Sequence, residues 1–177
     1  MIISIEKAKD LVSFPESWTD DKIKMKLLAV EQTIRAYTNN NFQDKGFRVT
    51  ADIADGVITA ATQIPFSAGD TVQISESFYN KGLFTVSSVD DQTFTVSENT
   101  KDEVVVLITK VVYPADVIAC AVNLLEWEVQ NRGKVGIQSE TLSRHSVTYF
   151  NMGAADQVMG YPVSLLGCLK AYRKARC

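Results

Sequence analysis

The residues able to do covalent or acid–base chemistry are few, and their spacing does not suit it. His145 is the single histidine of the chain, and it stands between Arg144 and Ser146 in a stretch that reads as a turn. Nucleophilic catalysis needs a base beside the nucleophile, and nothing in the sequence pairs one with the other. Cys120, Cys168 and Cys177 are odd in number and far apart. They predict a reducing compartment and no disulfide framework. There is no Cys-x-x-Cys pair and no acidic loop of calcium-binding pattern, so no metal and no cofactor is expected. Asp90-Asp91 reads as a turn. Glu126 and Glu128 stand two apart on a helical stretch, so they point in different directions. Together with Trp127 they are expected near the surface. Gly133-Lys134-Val135-Gly136 lacks the pattern of a phosphate-binding loop. The expectation is a protein that is not an enzyme.

What is left is charge and shape. The chain has 177 residues and 19.6 kDa, enough for one medium domain or two small ones. Eighteen Lys and Arg stand against 21 Asp and Glu, a formal net charge of −3. That balance argues against a protein whose whole surface grips nucleic acid. No run of about 18 apolar residues is present, so no membrane span is expected. The opening MIISIEKAKD is charged too early and too evenly for a signal peptide.

Composition divides the chain. Residues 1–47 and 113–177 read as helical, whereas 48–112 hold eleven Val and nine Thr, a strand-forming composition. The middle stretch carries nine acids and four bases, a net of −5, and the remainder a net of +2. The two shifts coincide, which predicts an inserted second domain.

The elements follow from spacing and turn residues. Ser4 can cap a short helix over 5–13, which Phe14-Pro15 stops. Thr19 is a good N-cap, and Asp20 and Asp21 suit the positive end of a helix. Ile23, Leu27, Val30, Ile34 and Tyr37 then form one helical stripe, which Asn39-Asn40-Asn41 ends. Strands are predicted at 48–53, 57–60, 71–75, 82–89, 93–96 and 104–111, with Asp55-Gly56, Ala68-Gly69-Asp70, Asn80-Lys81-Gly82 and Asp90-Asp91 as turns. Six short strands bury themselves most economically as a small curled barrel. Tyr113-Pro114 starts another helix, with Ile118, Ala121, Val122, Leu125 and Val129 as its apolar stripe and Leu124 beside it. Gly133 is placed to end that helix.

Beyond Gly133 the period changes. Residues 135–142 and 146–150 alternate, with Ser143-Arg144-His145 able to turn, a β-hairpin pattern. It has few apolar residues to bury on its own chain, so it lies either on the rest of the protein or against another subunit. A loop over 151–160 precedes a last helix from Tyr161-Pro162, with Leu165, Leu166, Leu169 and Tyr172 inward. Lys170, Arg173, Lys174 and Arg176 close the chain with no acid among them. They either complement the helix end or dock on an acidic partner or DNA. The fold class expected is α+β: a small helical bundle with a β-hairpin (1–47 plus 113–177), interrupted by an inserted all-β small barrel (48–112).

Certain stretches carry a family resemblance. Gly136–Tyr149 reads G-I-x-S-E-x-x-S-x-x-S-V-x-Y, and the closing run is Leu169-Lys170-Ala171-Tyr172-Arg173-Lys174. Asp20-Asp21, Leu27-Leu28, Ile34, Tyr37 and Thr38-Asn39-Asn40-Asn41-Phe42 agree in character. In these segments the chain resembles the head–tail connector (adaptor) proteins of long-tailed bacteriophages and prophages. Residues 48–112 depart from that compact pattern. There, 66–74 and 80–86 look like a small β-barrel module found in several phage structural proteins.

The resemblance implies a ring of about a dozen subunits beneath the portal, joining head to tail and continuing the DNA channel. It implies portal contact through Leu169, Lys170, Tyr172, Arg173, Lys174 and Arg176. Subunit or channel contact would fall to Ile137, Gln138, Ser139, Glu140, Arg144, His145 and Val147. The implied partners are the portal, the next connector or tail-completion protein, further copies of the chain, and DNA passing without sequence-specific binding; no membrane is involved. The implied location is the virion's head–tail junction, with the host cytoplasm during assembly. A head-completion stopper, a tail-completion protein and a small DNA-binding regulator are the alternatives.

Overall fold

A computed structural model describes residues 1–134, 139–142, 145–148 and 156–175. It is a mixed helix and strand fold in two compact units. One comprises Met1 and Asn41–Tyr113, the other Ile2–Asn40 and Pro114–Cys177.

The first unit is a closed antiparallel barrel of six strands: β1 (Gln43–Ala54), β2 (Val57–Ala60), β3 (Thr71–Ser75), β4 (Gly82–Asp90), β5 (Thr93–Val96) and β6 (Glu103–Val111). Their order around the barrel is β1-β2-β5-β4-β3-β6, with β6 closing on β1. Closure removes the unpaired strand edges that so small a sheet would otherwise leave. Alternate residues face inward. Val49, Ala51 and Ile53 of β1 meet Ile58, Val72, Ile74, Phe84, Val86, Phe94, Val106 and Ile108 in one core. Phe66 seals it, its ring edge-on to Phe94 at 5.6 Å.

The turns are set by residues that tolerate positive φ. Asp55 (φ 50°) and Gly56 (φ 78°) make the two-residue turn from β1 to β2, the geometry that matches strand twist. β1 starts five residues before the predicted Arg48. Its pairing with β6 skips between Asp44 and Arg48, an irregularity that alternation does not reveal. A second irregularity places Val105, a β-branched residue, at φ 59°, held by its N–H donating to Asp52 Oδ1 at 2.8 Å.

The second unit is built on α1 (Ile5–Leu11), α2 (Asp20–Thr38) and α3 (Ala115–Asn131). Ser4 caps α1 and Thr19 caps α2, each hydroxyl accepting from the backbone N–H three residues on. Ile23, Leu27, Val30 and Ile34 are fully buried. Removing four such side chains from water contributes roughly 6–12 kcal/mol before conformational entropy is subtracted. Tyr37, expected on the same stripe, is half-buried, and Thr38 is buried in its place. Asn39 ends α2 in the left-handed conformation at φ 48°.

α3 corrects the predicted stripe. Its buried face is Val117, Cys120, Ala121, Leu124, Leu125 and Glu128, whereas Ile118, Val122 and Val129 are half-buried. Both sets have helical spacing; the contacts with α2 and with 163–172 decide which one turns inward. Pro114 is the N-cap rather than the first helical residue. The helix continues into a 3-10 turn at Arg132–Lys134, so Gly133 does not end it in the left-handed conformation.

Beyond this, β7 (Ser139–Leu142) pairs with β8 (His145–Thr148), Leu142 opposite His145. His145 therefore opens a strand instead of lying in the turn. β9 (Gln157–Val158) and β10 (Tyr161–Pro162) form a small hairpin through Met159 (φ 55°) and Gly160 (φ 81°). Tyr161-Pro162 is thus strand, and the expected last helix is a 3-10 segment, Val163–Tyr172. With three residues per turn, Val163, Leu166, Leu169 and Tyr172 share one side. Leu166 and Leu169 are fully buried, while Leu165 and Tyr172 are half-buried.

Cys120 and Cys168 are joined, with Cα atoms 6.5 Å apart. This overturns the expectation of no disulfide. The two lie 48 residues apart, and only the packing of 163–172 on α3 brings them together.

Candidate docking surfaces

The basic C-terminal segment is fixed along the end of α2. Lys174 N–H donates to the Thr38 carbonyl at 2.8 Å. The Asn39 and Asn40 side-chain amides donate to the carbonyls of Ala175 (2.8 Å) and Tyr172 (3.3 Å). The Arg173 guanidinium lies 5.2 Å from the centre of the Tyr37 ring. Tyr172 Oη donates to the Asp116 carboxylate at 2.7 Å, and that hydrogen bond raises the phenol's pKa. The Asn39-Asn40 pair, read from sequence only as a helix breaker, thus also holds the chain terminus.

Among the residues assigned to a portal contact, Lys170, Arg173 and Lys174 are exposed. Tyr172 is half-buried and committed to Asp116. Leu169 is fully buried; here it packs the segment down and offers no surface to a partner. Arg176 lies outside the described residues. Of the residues assigned to subunit or channel contact, Ser139 and Glu140 fall in β7 and His145 and Val147 in β8, with Glu140 opposite Val147. Ile137, Gln138 and Arg144 lie outside the described residues.

Glu128 departs most from expectation. Its side chain is 4% exposed. Lys26 Nζ donates to Oε2 at 2.8 Å and Arg132 Nε to Oε1 at 2.9 Å. Burial opposes its ionisation, but hydrogen bonds from Arg132, Lys26 and Tyr161 outweigh that and hold the carboxyl at about 2. Arg132 also donates to the Gly160 carbonyl and lies against the rings of Trp127 and Tyr161 at 4.8 and 5.2 Å. Burial and the adjacent carboxylate raise the Tyr161 phenol. The cluster ties α2, α3 and the β9–β10 hairpin together. Both carboxylate oxygens of Glu128 accept from these partners.

On the barrel, the loop between β3 and β4 is organised by one carboxylate. Glu103 accepts from Ser77 Oγ (2.6 Å), Phe78 N–H (2.5 Å), Tyr79 N–H (3.3 Å) and Asn80 Nδ2 (2.9 Å). The Ser77 hydroxyl and these amides lower its pKa to about 2. Asn80 in turn pairs with the backbone of Lys101 in both directions at 2.8 Å. The fixed loop turns Phe78 and Tyr79 outward, 94% and 66% exposed. Sequence reading gave this pair no role; its one signal was two aromatics inside a polar turn.

Among the described residues, no group of three His, Cys, Asp or Glu side chains could hold a metal ion, and no helix is long and apolar enough to cross a membrane. Neither a scan of protein-family models nor a search of curated proteins finds a match for this chain.

Proposed function

We propose that this chain is a phage structural protein of the head–tail connector class, built as a helical bundle with a hairpin that carries an inserted barrel. Copies form a ring beneath the portal, join head to tail and continue the DNA channel. The observation that supports this most is the C-terminal segment. Lys170, Arg173 and Lys174 stand exposed on a backbone pinned to α2 through Thr38, Asn39 and Asn40. A cationic ridge held in place loses little entropy on docking, and repetition around a ring turns a weak contact into a firm one. The closing motif of the family resemblance falls on this same segment.

The test is the mass, by light scattering, of the protein mixed with the portal ring of the same phage or prophage. The adaptor reading expects about one subunit per portal chain, as matched ring symmetry requires. A monomer that ignores the portal but binds the tail side would identify a stopper or tail-completion protein. Salt-dependent binding to DNA by the isolated chain would identify the regulator.

A further inference from the structure

Val163–Tyr172 is a 3-10 run of ten residues. Runs longer than about four are uncommon, because their hydrogen bonds are poorly aligned and side chains three apart eclipse one another. The order of this run therefore rests on anchors to the rest of its unit. Leu166 and Leu169 are fully buried, and Tyr172 Oη reaches the Asp116 carboxylate at 2.7 Å. Just beyond, Lys174 N–H reaches the Thr38 carbonyl at 2.8 Å. A further anchor is covalent: Cys168 of the run is joined to Cys120 of α3. Cys168 stands beside the exposed Gly167, where the lack of a Cβ gives the backbone most freedom once it is released.

Two features make this anchor reversible. Cys120 is 1% exposed whereas Cys168 is exposed, so a thiol in solution meets the bond at Cys168. Both sulfurs lie 3.3 Å from the Leu165 carbonyl, which can accept from either S–H once the bond is open. The other anchors do not pass through sulfur. The dithiol form therefore keeps its fold and holds the segment less tightly.

We infer that Cys120 and Cys168 form a redox latch on the cationic docking segment. To open it, a thiolate such as that of glutathione bonds to Cys168 Sγ, and the bond to Cys120 Sγ breaks. Cys120 leaves as a thiolate and takes up a proton. A second glutathione thiolate attacks the glutathione sulfur of the mixed disulfide, and Cys168 leaves and is protonated in turn. The protein disulfide has then gained two electrons and two protons, and two glutathiones have become one glutathione disulfide. Glutathione disulfide in excess drives every step backward and closes the latch. The latch is open while copies assemble in a reducing cytoplasm and closes in an oxidising medium after release. This regulation rests on the portal reading above. Lys170, Arg173 and Lys174 all follow Cys168 within six residues, so closure fixes them on a partner already bound and slows its release.

The test uses full-length protein carrying Cys177→Ser, so that no third thiol can exchange, in reduced or in oxidised glutathione. A second protein adds Cys168→Ser at its exposed position and cannot close. Amide hydrogen exchange reads the latch without a partner. Amides of 163–174 are expected to exchange about tenfold more slowly in the oxidised protein, with the barrel strands unchanged. With Cys168→Ser, both media should give the rate of the reduced protein. Equal rates in the oxidised and reduced protein, or a redox response that survives Cys168→Ser, would overturn the latch. Complete loss of α2 protection on reduction would overturn it too, since the bond would then hold the fold. Release from the portal ring is read separately and is expected to be about tenfold slower for the oxidised form. Equal release would overturn the regulation. Exchange that differs while neither form binds the portal would refute the portal reading and leave the latch standing.

Discussion

Arg132 closes over Glu128 one helical turn away, and the carboxylate it neutralises is almost wholly shut off from solvent. Lys26 reaches the other carboxylate oxygen from a position 102 residues earlier in the chain. A buried charge with two cations and a tyrosine around it is a commitment: any one partner removed leaves the rest unbalanced. Arg132 is 38% and Lys26 33% exposed, so water can relieve them but not the acid.

The first prediction concerns which partner can be lost. Arg132→Ala strips the buried carboxylate of its closest cation and is expected to cost about 3 kcal/mol. Glu128→Gln keeps the shape and frees two cations that reach water, and is expected to cost less, about 1–2 kcal/mol. Denaturant titration of the two variants checks the order. Equal losses would mean that Glu128 is not held as described.

The same carboxylate sets a pH dependence. Glu128 and Glu103 both have folded pKa values of about 2, below the ordinary 4.5. Lowered values stabilise the fold above the ordinary pKa and lose that contribution as pH falls toward the folded one. Stability is therefore expected to be flat between about pH 6 and pH 9 and to fall between about pH 5 and pH 2. Glu128 contributes at most about 1.4 kcal/mol per pH unit in that window. In Glu128→Gln the slope should be shallower, as thermal melts across the range would show.

Leu169 and the cations beside it are predicted to separate folding from docking. Leu169→Ala empties a fully buried site and should cost about 2–4 kcal/mol, with the surface charge unchanged. Lys170→Glu, Arg173→Glu and Lys174→Glu together should leave melting within a few degrees of wild type and remove portal binding. Deleting the whole segment would confuse the two effects, because Leu169 and the bonds to Thr38, Asn39 and Asn40 would go with it.

Much of the barrel was legible because its signals are local. Asp55-Gly56 demands a tight turn, and the period of two on each side places Ile53 and Ile58 in the core. Thr19 and Ser4 mark their helices for the same reason. The errors concern residues whose state depends on distant chain. Glu128 reads as a surface acid until Lys26 and Tyr161 are beside it. The α3 stripe had two acceptable faces, and contact with 163–172 selected one. Leu165 and Leu169 fit an α-helical face, but a 3-10 segment has three residues per turn and pairs Leu169 with Leu166. Of the candidate docking residues, the cationic run was plain in sequence; its attachment to Asn39 and Asn40 was not.

The cysteines give a direct chemical check. Unfolded without reductant, the chain should accept one alkylating group, on Cys177, and three after reduction. With 48 residues between the joined cysteines, reduction should lower stability by about 2–4 kcal/mol. Three groups added without reduction would show Cys120 and Cys168 as free thiols.

The central claim is that the pinned cationic segment seats this chain on a portal. The most direct measurement is light scattering of the wild type and the Lys170, Arg173 and Lys174 charge-reversal variant, each mixed with the portal ring. The account predicts a wild-type complex of about one subunit per portal chain, and portal alone with the variant. A wild type that leaves the portal mass unchanged, or a variant that binds as well as wild type, would contradict it.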